Sequence, residues 1–158
     1  MKTKRDLPAI GWREWLTLPD LGIVAVKAKI DTGARTSAIH AFEIETFCLE
    51  GKQMVRFQVH PYQRDSETIV TSEAEILDQR QVRNSGGHAE LRLTIVTSVV
   101  VGDHQWPIEL TLTNRDVMGF RMLLGRQAVR DRFLVDPGKS YLLSRHLSSK
   151  RKKPTQPK

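Results

Sequence analysis

The sequence predicts a mostly β domain with one short helix, and three observations carry that reading. Apolar residues recur at every second position in several runs, which is the period of a strand with one buried face. Turn signals separate the runs, at Glu50-Gly51-Lys52 and at Gly102-Asp103. Only one short segment, Arg126 to Arg132, directly after Gly125, reads as helix.

Taken in chain order, Ile23 to Ile30 is a strand that delivers Asp31 at its end, with Val24, Val26, Ala28 and Ile30 expected toward the core and Lys27 and Lys29 outward. Val55, Phe57 and Val59 alternate after Glu50-Gly51-Lys52, so a hairpin is expected at that turn. The stretch Gln63 to His88 is polar and ends in Asn84-Ser85-Gly86-Gly87, the composition of a loop or mobile hairpin. The longest strand is Leu91 to Val101, with Leu91, Leu93, Ile95, Thr97, Val99 and Val101 on one face. After Gly102-Asp103 the chain returns along Ile108, Leu110 and Leu112. Pro107 has no N–H to donate, so the start of this return strand is expected at a sheet edge. Met122-Leu123-Leu124-Gly125 is an apolar strand that ends in glycine and enters the helix. Phe133-Leu134-Val135 forms a last strand before the turn at Pro137-Gly138. From Ser148 the composition shifts to Ser, Lys, Arg, Pro and Gln, so one domain is expected over 1–147 and a basic disordered tail over 148–158.

The bulk composition excludes several classes. A chain of 158 residues can bury a real core, and 39% hydrophobic with 27% charged residues is ordinary for a globular protein. No apolar run approaches the roughly 20 residues of a membrane helix, and no apolar stretch follows the charged N-terminus as in a signal peptide. Cys48 is the sole cysteine, so no internal disulfide forms; a cytoplasmic location and a buried apolar thiol are expected. The formal charge of +7 is largely a property of the tail, which holds Lys150, Arg151, Lys152, Lys153 and Lys158 and no acidic residue. Such a tail attracts anions at long range, but no recognised RNA-binding motif is present, so nucleic acid is not an expected partner.

The candidate site is Asp31-Thr32-Gly33-Ala34. Hydrolysis of a peptide by carboxylates requires two of them a few ångströms apart across one water. Like charges that close cannot both ionise, so one stays protonated as general acid while the other takes a proton from the water. Thr32 offers a hydroxyl to lock such a loop, Gly33 lets the backbone pass close to the carboxylates, and Thr36 and Ser37 can add hydrogen bonds beneath it. Alone, Asp-Thr-Gly is also a common strand-to-turn transition. Its context strengthens it: an apolar strand precedes it, and a second, ending in Leu124-Gly125, lies about ninety residues downstream. Other chemistries find less support. There is no His-Glu-x-x-His and no phosphate-binding Gly-x-x-x-x-Gly-Lys-Ser/Thr, and the five histidines lie far apart. A site built from His40, Cys48 and a carboxylate is disfavoured, so no metal and no cofactor are expected. Ser37, His40 and Asp31 lie too close in sequence for a serine-hydrolase triad and lack a Gly-x-Ser-x-Gly elbow. Trp12, Trp15 and Trp106 read most simply as core or dimer-surface anchors.

Four stretches carry a family resemblance: Gly11-Trp12-Arg13-Glu14-Trp15, Lys27 to Ala38, Val82-Arg83-Asn84-Ser85, and Met122-Leu123-Leu124-Gly125-Arg126. Together they resemble the small bacterial family labelled ATP-dependent zinc proteases, whose members are expected to be retropepsin-like aspartic peptidases and are often encoded beside ATP-grasp glutamate ligases. The resemblance implies a retropepsin-like closed β-barrel with Asp31 as the catalytic residue. It implies that the Leu124-Gly125 strand crosses the catalytic loop and buries its base, with Thr32, Gly33, Ala34, Thr36 and Ser37 shaping that loop. It also implies that Arg126 contacts a carboxylate near a dimer interface. One Asp-Thr-Gly per chain requires a homodimer to complete the dyad. Part of Gln63 to Ser85 would cover the site as a flap. The glutamate-ligase neighbourhood implies a glutamate-rich peptide or poly-glutamate tail as substrate, with Arg35 and Arg83 as candidate carboxylate binders. The competing reading is a catalytically silent barrel that binds a protein, peptide or RNA; the intact Asp31-Thr32-Gly33 argues against it.

Overall fold

A computed structural model describes residues 6–83, 86–87, 89–114 and 119–145, with the backbone alone at 82 and 83. The expected tail over 148–158 and the Asn84-Ser85 tip lie outside the described residues. The chain is built from β1 (Ala9–Gly11), β2 (Arg13–Leu18), β3 (Ile23–Asp31), β4 (Ser37–His40), β5 (Phe42–Leu49), β6 (Lys52–Val59), β7 (Val70–Glu75), β8 (Asp78–Arg83), β9 (Ala89–Val101), β10 (His104–Thr113), β11 (Met122–Gly125), α1 (Arg126–Val129) and β12 (Leu134–Asp136).

The main sheet runs β10-β4-β11-β3-β2-β9-β8, and a further β9–β10 ladder closes six of these strands into a barrel. Closure leaves β8 as the outer strand of the sheet. Ile10, Leu16, Leu18, Val26, Ile39, Phe57, Ile95, Leu110, Met122 and Leu124 fill one apolar core. Strands β5, β6 and β7 form a separate three-stranded sheet, whose β6 sends Val55, Phe57 and Val59 into that core. Strands β1 and β12 pair in parallel and join the two ends of the domain. No helix among the described residues is long and apolar enough to cross a membrane.

The hairpin expected at Glu50-Gly51 forms, with Leu49 paired to Lys52. Both loop residues have positive φ, Glu50 at 52° and Gly51 at 81°, the backbone hand that matches strand twist in a two-residue hairpin. The edge expected at Pro107 is also present: β4 pairs with β10 only from Leu110 onward, so Pro107 has a ladder partner on one side alone.

Several expectations are corrected. Val24 faces solvent at 70% exposure, because the β2–β3 register shifts between Leu16 and Leu18. The extra residue on β3 re-phases the alternation, so Ile23 enters the core instead, while Ala25 is buried apart from it against Trp15. Leu91 shares the parity of Leu93 but is 49% exposed, since it lies where β9 pairs with β8 beyond the ladder with β10. The polar stretch Gln63 to His88 contains two strands, β7 and β8, each held by a neighbour from elsewhere in the chain, β6 and β9. The helix ends at Val129 rather than Arg132. The last strand is Leu134–Asp136, displaced by one residue. Cys48 is exposed rather than buried, because β5 is the outer strand of the small sheet.

Candidate active site

Asp31 is the last residue of β3, and β11 runs parallel beside it with Gly125 in register. From Val26 onward β3 alternates regularly: Val26, Ala28 and Ile30 are buried, while Lys27, Lys29 and Asp31 are half-buried on the outer face. The core thus sets the direction of the Asp31 side chain, because turning it inward would expose Ile30. The Asp31 Oδ1 accepts the Gly33 N–H at 3.0 Å, and the Ala34 N–H bonds the Asp31 carbonyl at 3.2 Å. Thr32 and Gly33 are exposed, Ala34 and Thr36 half-buried, and Arg35 exposed.

The loop is held from beneath by the start of α1. The Gly125 N–H donates to the buried Ser37 Oγ at 3.0 Å. The Arg126 N–H donates to the Ala34 carbonyl at 2.7 Å, and the Gln127 N–H to the Arg35 carbonyl at 3.1 Å. The Arg126 Nη1 donates to the Thr32 carbonyl at 3.1 Å. Three successive backbone donors and one guanidinium thus fix three loop carbonyls and one hydroxyl. Gly125 is required by close approach: a Cβ there would meet the Thr36 carbonyl carbon and oxygen at 2.5 Å, a contact that side chains do not make. Leu124 is fully buried and pairs with Ile30, so the crossing strand closes the core beneath the loop.

The structure therefore brings together Asp31, Thr32, Gly33, Ala34, Arg35, Thr36, Ser37, Leu124, Gly125 and Arg126. Arg83 stands apart on β8, and its side chain lies outside the described residues. Ser37 points at Gly125 and not at Asp31 or His40. A cavity of about 230 Å³ behind the loop is lined by Thr36, Ser37, Trp106 and Arg132 among others. A wider one of about 620 Å³ opens beside Thr32 and Arg126, walled by Val129, Phe133 and Val135. Among the described residues no three His, Cys, Asp or Glu side chains converge as metal ligands do.

Two features were not read from the sequence. The first is Glu14, fully buried, whose carboxylate accepts N–H bonds from Gly11, Leu142 and Leu143 and the Ser144 hydroxyl. No local signal marks it, because Ser144 lies 130 residues away in sequence. The second is a cationic and aromatic cluster on the outer face of β2 and β3. The Arg13 guanidinium lies 4.7 Å from the Trp12 ring centroid and 5.1 Å from that of Tyr141. The Lys27 ammonium lies 5.7 Å from that of Phe120. Burial, and then the nearby charges of Arg13 and Arg64, hold the Lys27 pKa below the ordinary lysine value. Burial raises the Tyr141 pKa, with Arg13 opposing and Glu14 adding.

Residues 9–146 match the family model described as "RimB-like: Retropepsin-like aspartic endopeptidase RimB". That description names an aspartic endopeptidase, and neither zinc nor ATP appears in it. Among curated proteins, a probable alpha-L-glutamate ligase of Desulfotalea psychrophila is 49% identical over 128 residues, 81% of this chain and 28% of its own length. Another so named, from Parasynechococcus marenigrum, is 49% identical over 134 residues, 85% of this chain and 29% of its own. The chain thus spans under a third of the length of these relatives. Among solved structures, a Legionella pneumophila protein of unknown function superposes with a TM-score of 0.73 at 27% identity, over 87% of this chain and 98% of that one. A closed barrel with Asp-Thr-Gly set against a crossing Leu-Leu-Gly strand, matched by a family model from β1 to the end of the domain, places the chain in the RimB-like family of retropepsin-like aspartic endopeptidases.

Proposed function

We propose that this protein is an aspartic peptidase that hydrolyses glutamate-rich peptides or poly-glutamate tails, with its dyad completed in a homodimer. The observation that carries the reading is the Asp31 loop. Its carboxylate is half-buried and aimed outward, and one oxygen is held by the Gly33 N–H while Oδ2 accepts no bond from the described residues. The backbone around it is fixed by the start of α1. Rigid surroundings with spare acceptor capacity suit a group that must bind a water and exchange a proton with it. In the dimer the two Asp31 carboxyls share one proton. The ionised one deprotonates the water as it attacks the amide carbon, and the protonated one donates to the carbonyl oxygen; collapse of the tetrahedral intermediate expels the amine, which takes up a proton.

The dimer reading rests on exposed Thr32 and Gly33, of which Thr32 lines the larger cavity beside the β1–β12 pair. Arg126 holds Thr32 from within the chain and meets the partner there. The flap role falls to the β8–β9 hairpin: beyond Leu93, β9 leaves β10 and forms a two-stranded ribbon with β8, with exposed Leu91 upon it. Arg35 and Arg83 bind substrate carboxylates from the loop and from this ribbon. The glutamate preference is supported by the ligase names of the relatives. Those names also favour a second reading, a module that docks acidic chains for a ligase without cutting them.

The test compares wild type with Asp31→Asn on oligo-α-glutamate peptides and on a neutral peptide library, read by mass spectrometry. Wild type is expected to release glutamate-containing fragments, and Asp31→Asn to lose at least about a thousandfold in rate. Equal product from both proteins overturns the catalytic role. Full activity of a strict monomer in sedimentation overturns the shared dyad.

A further inference from the structure

Arg13 and Lys27 share one outer face of the barrel, and exposed Arg64 lies on a loop tied beside it by Gln63. None of them forms an ion pair with a carboxylate among the described residues, unlike Arg56, Arg80, Arg92 and Arg130. Their placement is built rather than accidental. Arg13 is fixed between Trp12 and Tyr141, and its Nε donates to the Ser140 hydroxyl at 3.0 Å. Lys27 is half-buried over Phe120, which itself meets Trp12 edge-on with ring centroids 6.0 Å apart. Gln63, next to Arg64, donates through its side-chain amide to the Gly119 carbonyl and so ties the Arg64 loop to the Phe120 segment. Arg13 and Arg64 both disfavour the charge on Lys27, a repulsion that an anionic ligand would relieve.

The position of this cluster gives it meaning. Arg13 pairs with Lys29 across β2 and β3, Trp15 pairs with Lys27, and Lys27, Lys29 and Asp31 share one face of β3. The row therefore ends at Asp31, about 13 Å from Lys27 at ~3.3 Å per strand residue. An extended peptide advances by about the same amount per residue, so a substrate lying along β3 and cut at Asp31 would place side chains three to four residues away over Lys27.

We infer that Arg13, Lys27 and Arg64 form a carboxylate-binding site for acidic side chains of the substrate remote from the scissile bond, and that this row, together with the loop at Asp31, sets selectivity for acidic peptides. The inference rests on the peptidase reading of Asp31 for its purpose, but not for its binding chemistry. Charge complementarity selects an anion, and the aromatic faces select against nucleic acid. Trp12 and Tyr141 already carry the Arg13 guanidinium, Phe120 carries Lys27, and Tyr141 also stacks with Trp15 at 6.4 Å. Bases need open ring faces on which to stack; carboxylates need only the cationic ends.

The experiment uses the full chain as Asp31→Asn, which does not turn substrate over, and a fluorescent oligo-α-glutamate peptide read by anisotropy. Adding Lys27→Gln and Arg64→Gln together is expected to weaken binding about tenfold, and either alone about threefold to fourfold, as for partly exposed ion pairs. Lys27→Arg is expected to retain affinity, and the differences are expected to shrink as salt rises. Arg64 is exposed on a loop, so Arg64→Gln tests the site even if changes at Arg13 or Lys27 unfold the barrel. Unchanged affinity in the double variant overturns the inference, as does equal binding of an oligo-glutamine peptide. Tighter binding of a single-stranded RNA of equal charge, lost in the same variants, also overturns it. In the wild-type background, the double variant is expected to raise KM for acidic peptides with little change in kcat. If wild type cleaves nothing while the binding losses hold, the peptidase reading fails and this site stands.

Discussion

Glu14 and Asp31 are carboxylates on neighbouring strands of one barrel, and their surroundings are opposite. Glu14 is fully buried and accepts from three backbone N–H groups and one hydroxyl, between 2.6 and 3.2 Å. Asp31 is half-buried and accepts a single N–H, from its own loop. A carboxylate has about four acceptor positions. At Glu14 all are engaged, and each donor comes from a segment that the carboxylate ties down: the β1 end, and the chain just after Tyr141. At Asp31 most remain open toward solvent. Full engagement makes a fastener, and spare capacity on a rigid mount suits the reactive role proposed for Asp31.

Substitutions can break or sharpen this contrast, and the largest effect is expected at Asp31. Asp31→Asn should remove activity by the thousandfold given above yet leave the melting temperature within a degree or two, since it retains an acceptor for Gly33. Glu14→Ala should do the reverse. It strands buried donors at Gly11, Leu142 and Leu143 and should cost about 3 kcal/mol in urea unfolding, and proteolysis should then start at the segment after Tyr141. An activity loss larger than its stability loss explains would mean Glu14 also serves the site. Gly125→Ala forces a Cβ toward the Thr36 carbonyl and should cost about 2 kcal/mol, with activity falling because the loop must move. Ser37→Ala removes one acceptor beneath the loop, for the Gly125 N–H, and should cost about 1 kcal/mol by the same unfolding measurement, with a smaller rate loss. A silent Ser37→Ala would mean the Arg126 and Gln127 donors suffice to hold the loop.

Legibility followed how local each feature is. The Asp-Thr-Gly loop, the alternation of β10 and of β9 from Leu93 onward, the Glu50-Gly51 hairpin and the apolar β11 run are written in adjacent residues, and they appear where the pattern placed them. Val24 was misplaced because a bulge leaves no mark in an otherwise alternating run. Strands β7 and β8 fall in the stretch expected to be a loop or mobile hairpin, because their sequences, Val-Thr-Ser-Glu-Ala-Glu and Asp-Gln-Arg-Gln-Val-Arg, are polar. Each is a strand because β6 or β9 offers it a ladder, so partner supply overrode propensity. Cys48 followed the same logic in reverse: a β-like run was correct, but which side of the small sheet is covered depends on the barrel.

By itself the sequence determined the fold class, the residue at the end of β3 and the glycine that lets β11 cross beneath it, because strand period, turn chemistry and short motifs act within a few neighbours. Tertiary structure alone decided the rest. It joined Glu14 to Ser144 across 130 residues, laid the start of α1 under the Asp31 loop, and gathered Arg13 and Lys27 around Trp12 and Phe120. Those contacts join segments far apart in the chain, and no local pattern encodes the register between them.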